Sequence, residues 1–264
     1  MRVRRLALAL AILLVGASAA TPAAAIHRGT RAPIASYGFM VSLRLAETPD
    51  DHRCGGTLVE PDIVLTAAHC VARLPAGALV AVVGADMPDW PKVTRVETLG
   101  HRIPDTFTFR VDNRDDIAVV RLASRQTGPT IPLVTSEPRV GTKVVTAGWG
   151  CTNAPPVCKV EATSLQASGQ TVLRDAACGR EVFWTRPTYA ARTNICTRGT
   201  RARSTINRGD SGGPLLVRDR SGAFRQVGVT ALGSDSTKKL YAGFTSIPVE
   251  RRWMAAAIRS LRGA

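Results

Sequence analysis

Apolar residues recur along this chain in short runs of about five to seven, separated by turn residues. Phe39-Met40-Val41-Ser42-Leu43-Arg44-Leu45 alternates apolar with small or polar positions, and Leu79 to Val83 is a compact β-branched run. Ile117 to Leu122, Lys143 to Ala147, Pro214 to Val217, Gln226 to Thr230 and Leu240 to Ile247 read the same way. Glycine- and proline-bearing turns fall between them, at Pro75-Ala76-Gly77, Arg139-Val140-Gly141 and Arg220-Ser221-Gly222. Many short strands with such punctuation predict an all-β barrel or sandwich. The end breaks the pattern. After Pro248, Val249 to Ile258 is rich in helix formers and predicts a C-terminal helix. There are no repeats and no low-complexity linker.

The first 25 residues read as a leader outside the fold. Arg2, Arg4 and Arg5 form a basic start, Leu6 to Ala17 is apolar, and Ala23-Ala24-Ala25 offers a small-residue cleavage site. An N-terminal membrane anchor is the alternative, but no stop-transfer pattern follows. Arg4-Arg5 hints at a twin-arginine signal, although the surrounding motif is poor and the general secretory route fits better. Cleavage there leaves 239 residues, enough to bury a sizeable core. No later stretch approaches the length of a spanning helix, so the mature chain is expected to be secreted with no transmembrane segment.

Charge and cysteines narrow the picture. The net charge of +15 includes the three leader arginines, leaving +12 on the remainder. Such a field attracts an anionic surface or polymer. The basic residues are scattered, apart from Arg201, Arg203 and Arg208, and no nucleic-acid-binding motif is present. Six cysteines in a secreted chain imply up to three disulfides. Zinc is the rival use, but paired CxxC spacing is missing and the chain has four histidines. Asp86, Asp89 and Glu97 lack calcium-ligand spacing.

Three motifs carry the chemistry: Thr66-Ala67-Ala68-His69-Cys70, Asp116-Ile117-Ala118-Val119-Val120-Arg121-Leu122 and Gly209-Asp210-Ser211-Gly212-Gly213-Pro214. A serine hydroxyl needs a neighbouring base to act as a nucleophile at neutral pH. Histidine suits that task, and a buried carboxylate fixes its tautomer. With Cys54-Gly55-Gly56-Thr57-Leu58 and Ala147-Gly148-Trp149-Gly150, these motifs resemble the trypsin/chymotrypsin-like serine peptidases from about Ile26 to about Trp253.

The resemblance implies two packed six-stranded antiparallel β-barrels, with His69 and Asp116 on the first and Ser211 on the second. Ser211 would be the nucleophile, His69 the base and Asp116 its orienting carboxylate. Asp115 is a rival for that last role, but the Asp-Ile-Ala match favours Asp116. The N–H groups of Gly209 and Ser211 would form the oxyanion hole. Disulfides Cys54–Cys70 and Cys178–Cys196 are implied, leaving Cys151 and Cys158 as the third pair. Asp210 would pair with a new N-terminal ammonium at Ile26. The segment Ile26-His27-Arg28-Gly29 departs from the usual Ile-Val-Gly-Gly after its first residue. Cleavage after Ala25 would itself expose Ile26, with no separate zymogen step. Cleavage near Ala17-Ser18-Ala19 would instead leave a short propeptide.

Specificity departs from the trypsins. Thr205 stands where they carry an aspartate, six residues before the serine, and Gly233 and Ala242 would form the pocket walls. A neutral floor leaves a buried Lys or Arg unpaired, so an uncharged apolar or small residue is expected there. Asp235 is near enough in sequence to alter that preference. Asn207 stands where many relatives carry a cysteine bridged to the far wall of the pocket, and neither it nor Ser234 to Ser236 supplies one, which implies a looser rim. Ala231-Leu232-Gly233 replaces Ser-Trp-Gly, and Arg208 either favours acidic substrate residues or stands as a solvated arginine. The expected partners are protein or peptide substrates of a monomer, and no cofactor is implied. A non-catalytic binding relative is the alternative. An esterase of the α/β-hydrolase type lacks support, because that family's nucleophile-elbow context is absent.

Overall fold

The computed structural model describes residues 26–108, 113–153, 158, 160, 162–179, 189–201, 204–234 and 240–263. The predicted leader, Arg203, Asp235 and Ser236 lie outside the described residues.

Two antiparallel barrels form the fold. The first comprises β2 (Met40–Leu45), β3 (Cys54–Glu60), β4 (Ile63–Thr66), β5 (Leu79–Val83), β6 (Val96–Arg102) and β7 (Ala118–Leu122). It closes in the order β2-β3-β4-β7-β6-β5. The short α1 (Ala68–Val71) follows β4. The second barrel comprises β8 (Lys143–Gly148), β9 (Gln166–Val172), β10 (Asn194–Gly199), β11 (Pro214–Arg218), β12 (Phe224–Gly233) and β13 (Tyr241–Ser246), with α2 (Asp175–Cys178) after β9. Pairing of β8 with β9 closes it, and the two-residue β1 (Thr30–Arg31) adds to β9. Closure removes exposed sheet edges from both halves.

The period of two is visible in burial. Val96, Thr98 and Gly100 of β6 point inward while Glu97 and Leu99 face solvent. In β9, Gln166, Ser168, Gln170 and Val172 are the buried set. Three inward positions there are polar, which hides the strand from a hydrophobic-run reading.

The C-terminal helix α3 (Ile247–Arg262) is longer than expected at both ends. Its buried Ile247, Met254, Ala257 and Leu261 join the core of the first barrel, with Val120 and Leu122 of β7. Arg262 pairs with Asp62 at 2.8 Å and Glu60 at 2.5 Å, and Arg121 donates to the Leu261 carbonyl. The helix thus starts where the second barrel ends and clamps the first. Truncating Met254 to Ala would cost about 2–5 kcal/mol by the usual core-cavity range.

Candidate active site

Register explains why His69 and Asp116 meet. β4 pairs antiparallel with β7, and Thr66 faces Ala118. The chain continues three residues past Thr66 to His69, and Asp116 lies two residues before Ala118, so both project beyond the same end of one ladder. A tight turn precedes Asp116, in which Asn113 and Asp115 have φ of 47° and 55°. That left-handed pair bends the backbone so that Asp116, not Asp115, meets α1.

Asp116 is fully buried. Its Oδ1 accepts the His69 backbone N–H at 2.9 Å, and its Oδ2 accepts His69 Nδ1–H at 2.6 Å and Asn113 Nδ2–H at 3.1 Å. Thr245 Oγ1, from β13, donates to the Asp116 carbonyl at 2.9 Å. An ionised carboxylate only accepts, so Nδ1 carries the proton and Nε2 is left basic. Burial pushes the imidazole pKa down, but the charge of Asp116 and its hydrogen bond outweigh that, and the net direction is up; Arg53 opposes the rise. Asp115 turns elsewhere: it accepts from Thr106 Oγ1 and faces Glu250 of α3.

Ser211 sits on a loop gripped from both barrels. Its carbonyl accepts the Gly55 N–H of β3 at 2.8 Å, while the Gly212 N–H donates to Thr230 O of β12 at 2.9 Å. Gly55 follows Cys54, which is bridged to Cys70 beside His69. One hydrogen bond and one disulfide therefore link the serine loop to the histidine helix. Gly212 has φ of 79°, and a Cβ there would lie 2.2 Å from Thr66 Oγ1. Gly209 has φ of 90°, with Gly150 Cα 2.9 Å from where its Cβ would stand. Side chains at either position would push the loop off its seat. Among the described residues, neither the Gly209 nor the Ser211 N–H donates to a protein acceptor.

Asp210 is fully buried. Its Oδ1 accepts the Gly150 N–H at 2.9 Å and its Oδ2 the Asn207 N–H at 2.8 Å. Burial pushes this carboxyl up to about 7, against the two backbone donors. Ile26 is also fully buried, with φ of 56°. His27 behind it bridges to Thr205 and hydrogen-bonds Thr152 O through Nδ1. In the full-length chain the Ile26 nitrogen is an amide, not an ammonium.

The three residues assigned to the specificity pocket are all buried. Gly233 pairs with Ala242 across β12 and β13, and Thr205 is fully enclosed, its hydroxyl without a protein partner among the described residues. The rim at Asn207 is tied more firmly than the loss of a cysteine suggests. Its amide donates to Cys151 O at 3.0 Å and Asn153 O at 2.7 Å, and its Oδ1 accepts the Arg208 N–H at 2.9 Å.

The structure carries three disulfides, Cys54–Cys70, Cys151–Cys158 and Cys178–Cys196. Cys54, His69 and Cys70 cluster, but the two sulfurs bond each other and are not free thiolate ligands.

His52 carries no sequence signal of a functional role. It lies in a polar turn, and its Nε2 donates to the Gly209 carbonyl at 2.8 Å, 157 positions away. Ser42 Oγ meets its Nδ1 at 2.8 Å, and Arg44 Nε donates to Ser42 at 3.1 Å. Arg44 in turn lies 3.8 Å over the Trp90 ring. Burial, with Arg44 adding, pushes His52 down to about 4 against the Gly209 bond, so the ring is neutral. A neutral ring donating at Nε2 must accept at Nδ1, so Ser42 donates and the relay runs one way from Arg44 to Gly209. No local motif marks it.

Comparisons place this arrangement among known proteins. The profile of the family described as Trypsin matches residues 26–254. Trypsin iota of Drosophila melanogaster is 26% identical over 258 residues, 96% of each chain. Chymotrypsin-C of Bos taurus is 29% identical over 235 residues, 83% of each. Chymotrypsin-like elastase family member 3B of Homo sapiens is 28% identical over 263 residues, 93% of each. The solved structure of neuropsin, described as a serine protease expressed in the limbic system of mouse brain, shares the fold with a TM-score of 0.72. It is 21% identical, covering 88% of this chain and 100% of that one.

Proposed function

The chain belongs to the trypsin family and is a serine endopeptidase; on that footing we propose that Ser211, His69 and Asp116 perform the chemistry, in a secreted enzyme that prefers an uncharged residue before the cut. His69 Nε2 takes the Ser211 proton as Oγ attacks the scissile carbonyl. The Gly209 and Ser211 N–H groups receive the developing oxyanion. His69 then protonates the departing amine, leaving an acyl ester on Ser211. Water, deprotonated by His69, attacks that ester and releases the acid. The 2.6 Å bond between Asp116 and His69 Nδ1 carries this reading, because it leaves Nε2 as the base.

The leader is proposed to direct export, and among the described residues no helix is long and apolar enough to cross a membrane. Cleavage after Ala25 would create an ammonium at Ile26. Pairing with Asp210 would supply the cation that this carboxylate lacks among the described residues, and would seat the oxyanion loop. The neutral Thr205, in place of a carboxylate, supports the preference for an uncharged side chain. An ester substrate checks the chemistry: a burst of alcohol stoichiometric with enzyme, lost in Ser211→Ala and His69→Ala, is expected. Turnover that survives Ser211→Ala would contradict the assignment.

A further inference from the structure

Beside Gly209 lies a cleft of about 290 Å³, lined by Arg53, Arg208, His52, Trp149, Gly209 and the Cys151–Cys158 bridge. Its position relative to the cut follows from His69. Arg53 Nε donates to the Cys70 carbonyl at 3.1 Å, immediately after His69, and Arg53 acts electrostatically on that imidazole. In the proposed mechanism His69 hands its proton to the departing amine. In that mechanism the amine departs beside His69, on the side where Arg53 stands. The acyl half would take the proposed pocket at Thr205, Gly233 and Ala242, none of which lines this cleft.

The chemistry of the cleft is one-sided. Arg53 and Arg208 are both exposed at its mouth. Arg208 is anchored by its backbone, its N–H bound to Asn207 Oδ1 and its carbonyl to the Cys151 N–H at 2.8 Å, so the guanidinium projects from a fixed stem. Arg53 uses one donor on Cys70 O and keeps the rest of its fork. His52 is neutral and spends both ring nitrogens on Ser42 and Gly209. Trp149 and the disulfide add an apolar wall. Among the described residues that line it there is no carboxylate. Asp50 and Asp51, in the turn before His52, are not lining residues, and Asp50 pairs with Arg95.

A short apolar stem ending in a carboxylate fits this wall and these forks. We propose that the cleft recognises an aspartate or glutamate in the first or second residue after the scissile bond, with Arg53 and Arg208 as the specificity-determining residues. This rests on the endopeptidase reading above and extends it to a substrate class: acidic segments cut on their amino side.

The test uses the chain beginning at Ile26 and quenched peptides with one neutral acyl half. The two residues after the cut are Ala-Ala, Glu-Asp or Lys-Lys. Glu-Asp is expected to exceed Ala-Ala in kcat/KM by roughly threefold to tenfold, with Lys-Lys below both. The ratio should shrink toward one in Arg53→Ala/Arg208→Ala and in about 0.5 M salt. Arg208→Glu should reverse the order. The acyl-enzyme formed from an ester reports the same site alone. Glu-Asp amide, attacking the Ser211 ester through its amine and releasing the serine hydroxyl, should be acylated in preference to Ala-Ala amide. Equal rates, or a preference that survives the double change, would overturn the proposal. Cleavage of the Ala-Ala peptide that is lost in Ser211→Ala keeps the endopeptidase reading in either case. Cleavage of no peptide sinks both.

Discussion

Asp116 and Asp210 are both fully buried, yet the two halves of the site treat them differently. The Asp116 carboxylate is met by an imidazole, a side-chain amide and a backbone N–H, all from the first barrel. Its environment is complete as the barrel folds. Asp210 has two backbone donors, from Gly150 and Asn207, and its carboxyl is pushed up to about 7. A buried carboxylate without a cation is costly. The proposed base half of the site is thus self-sufficient, whereas the proposed oxyanion half is built around a carboxyl that meets no cation among the described residues.

The sharpest break of that comparison is Asp116→Asn. The family's template sets the expected loss at about 10⁴-fold in kcat, because the amide favours the wrong histidine tautomer. A pH profile adds a second readout. As the proposed base, His69 must be neutral to act, so activity should fall as pH drops through its raised pKa, above the ordinary value of about 6.5. Without the Asp116 charge, burial dominates and that acid limb should move down.

Asp210→Asn separates the two halves. In a chain beginning at Ile26 it should cost roughly 10²–10³-fold in kcat, the scale of losing one oxyanion donor. In a chain that keeps residues ahead of Ile26 the same change should instead stabilise the fold at neutral pH. The unfolded carboxyl titrates near 3.9, well below the folded one. The folded state therefore holds its proton longer, and stability falls as pH rises from about 4 to about 7. Melting of that longer chain at both ends of this window should show the slope in the parent and a flatter profile in Asp210→Asn.

Smaller effects follow from the supports. His52→Phe removes the hydrogen bond on the Gly209 carbonyl and should lower kcat by about tenfold, the equivalent of one buried bond. KM should move less, because in the proposed mechanism the Gly209 N–H meets charge only in the transition state. Smallest is Glu250→Gln. Burial, with the charge of Asp115 and a hydrogen bond to it, pushes the Glu250 carboxyl up, so this pair destabilises the fold as pH rises. The exchange should raise Tm by about 2–4 °C above pH 8, worth about 1 kcal/mol, with little change near pH 4.

The legible parts of this molecule are those where chemistry dictates residue type locally. The His69, Asp116 and Ser211 motifs are of that kind, and so are the apolar runs of β5, β7 and β11. Strands β3 and β9 escape a hydrophobic-run reading because Gly55, Gly56, Gln166, Ser168 and Gln170 occupy their buried positions. In α3 the expectation stops at Ile258, where the apolar run ends, yet Leu261 still reaches the core one turn later. His52 and Arg44 are illegible for a different reason. Their value lies in a chain of contacts from β2 across a turn to Gly209, and nothing adjacent in sequence records that path. Asn207 shows the limit of reading an exchange in isolation: without the cysteine of many relatives, it ties the same rim through three backbone groups.

The most direct test is the intact mass of the chain beginning at Ile26 after reaction with a fluorophosphonate, alongside Ser211→Ala. An assembled Ser211, His69 and oxyanion loop predicts one adduct per chain, on Ser211, and none in the variant. No adduct on folded, correctly processed protein, or an adduct that persists in Ser211→Ala, would contradict the account.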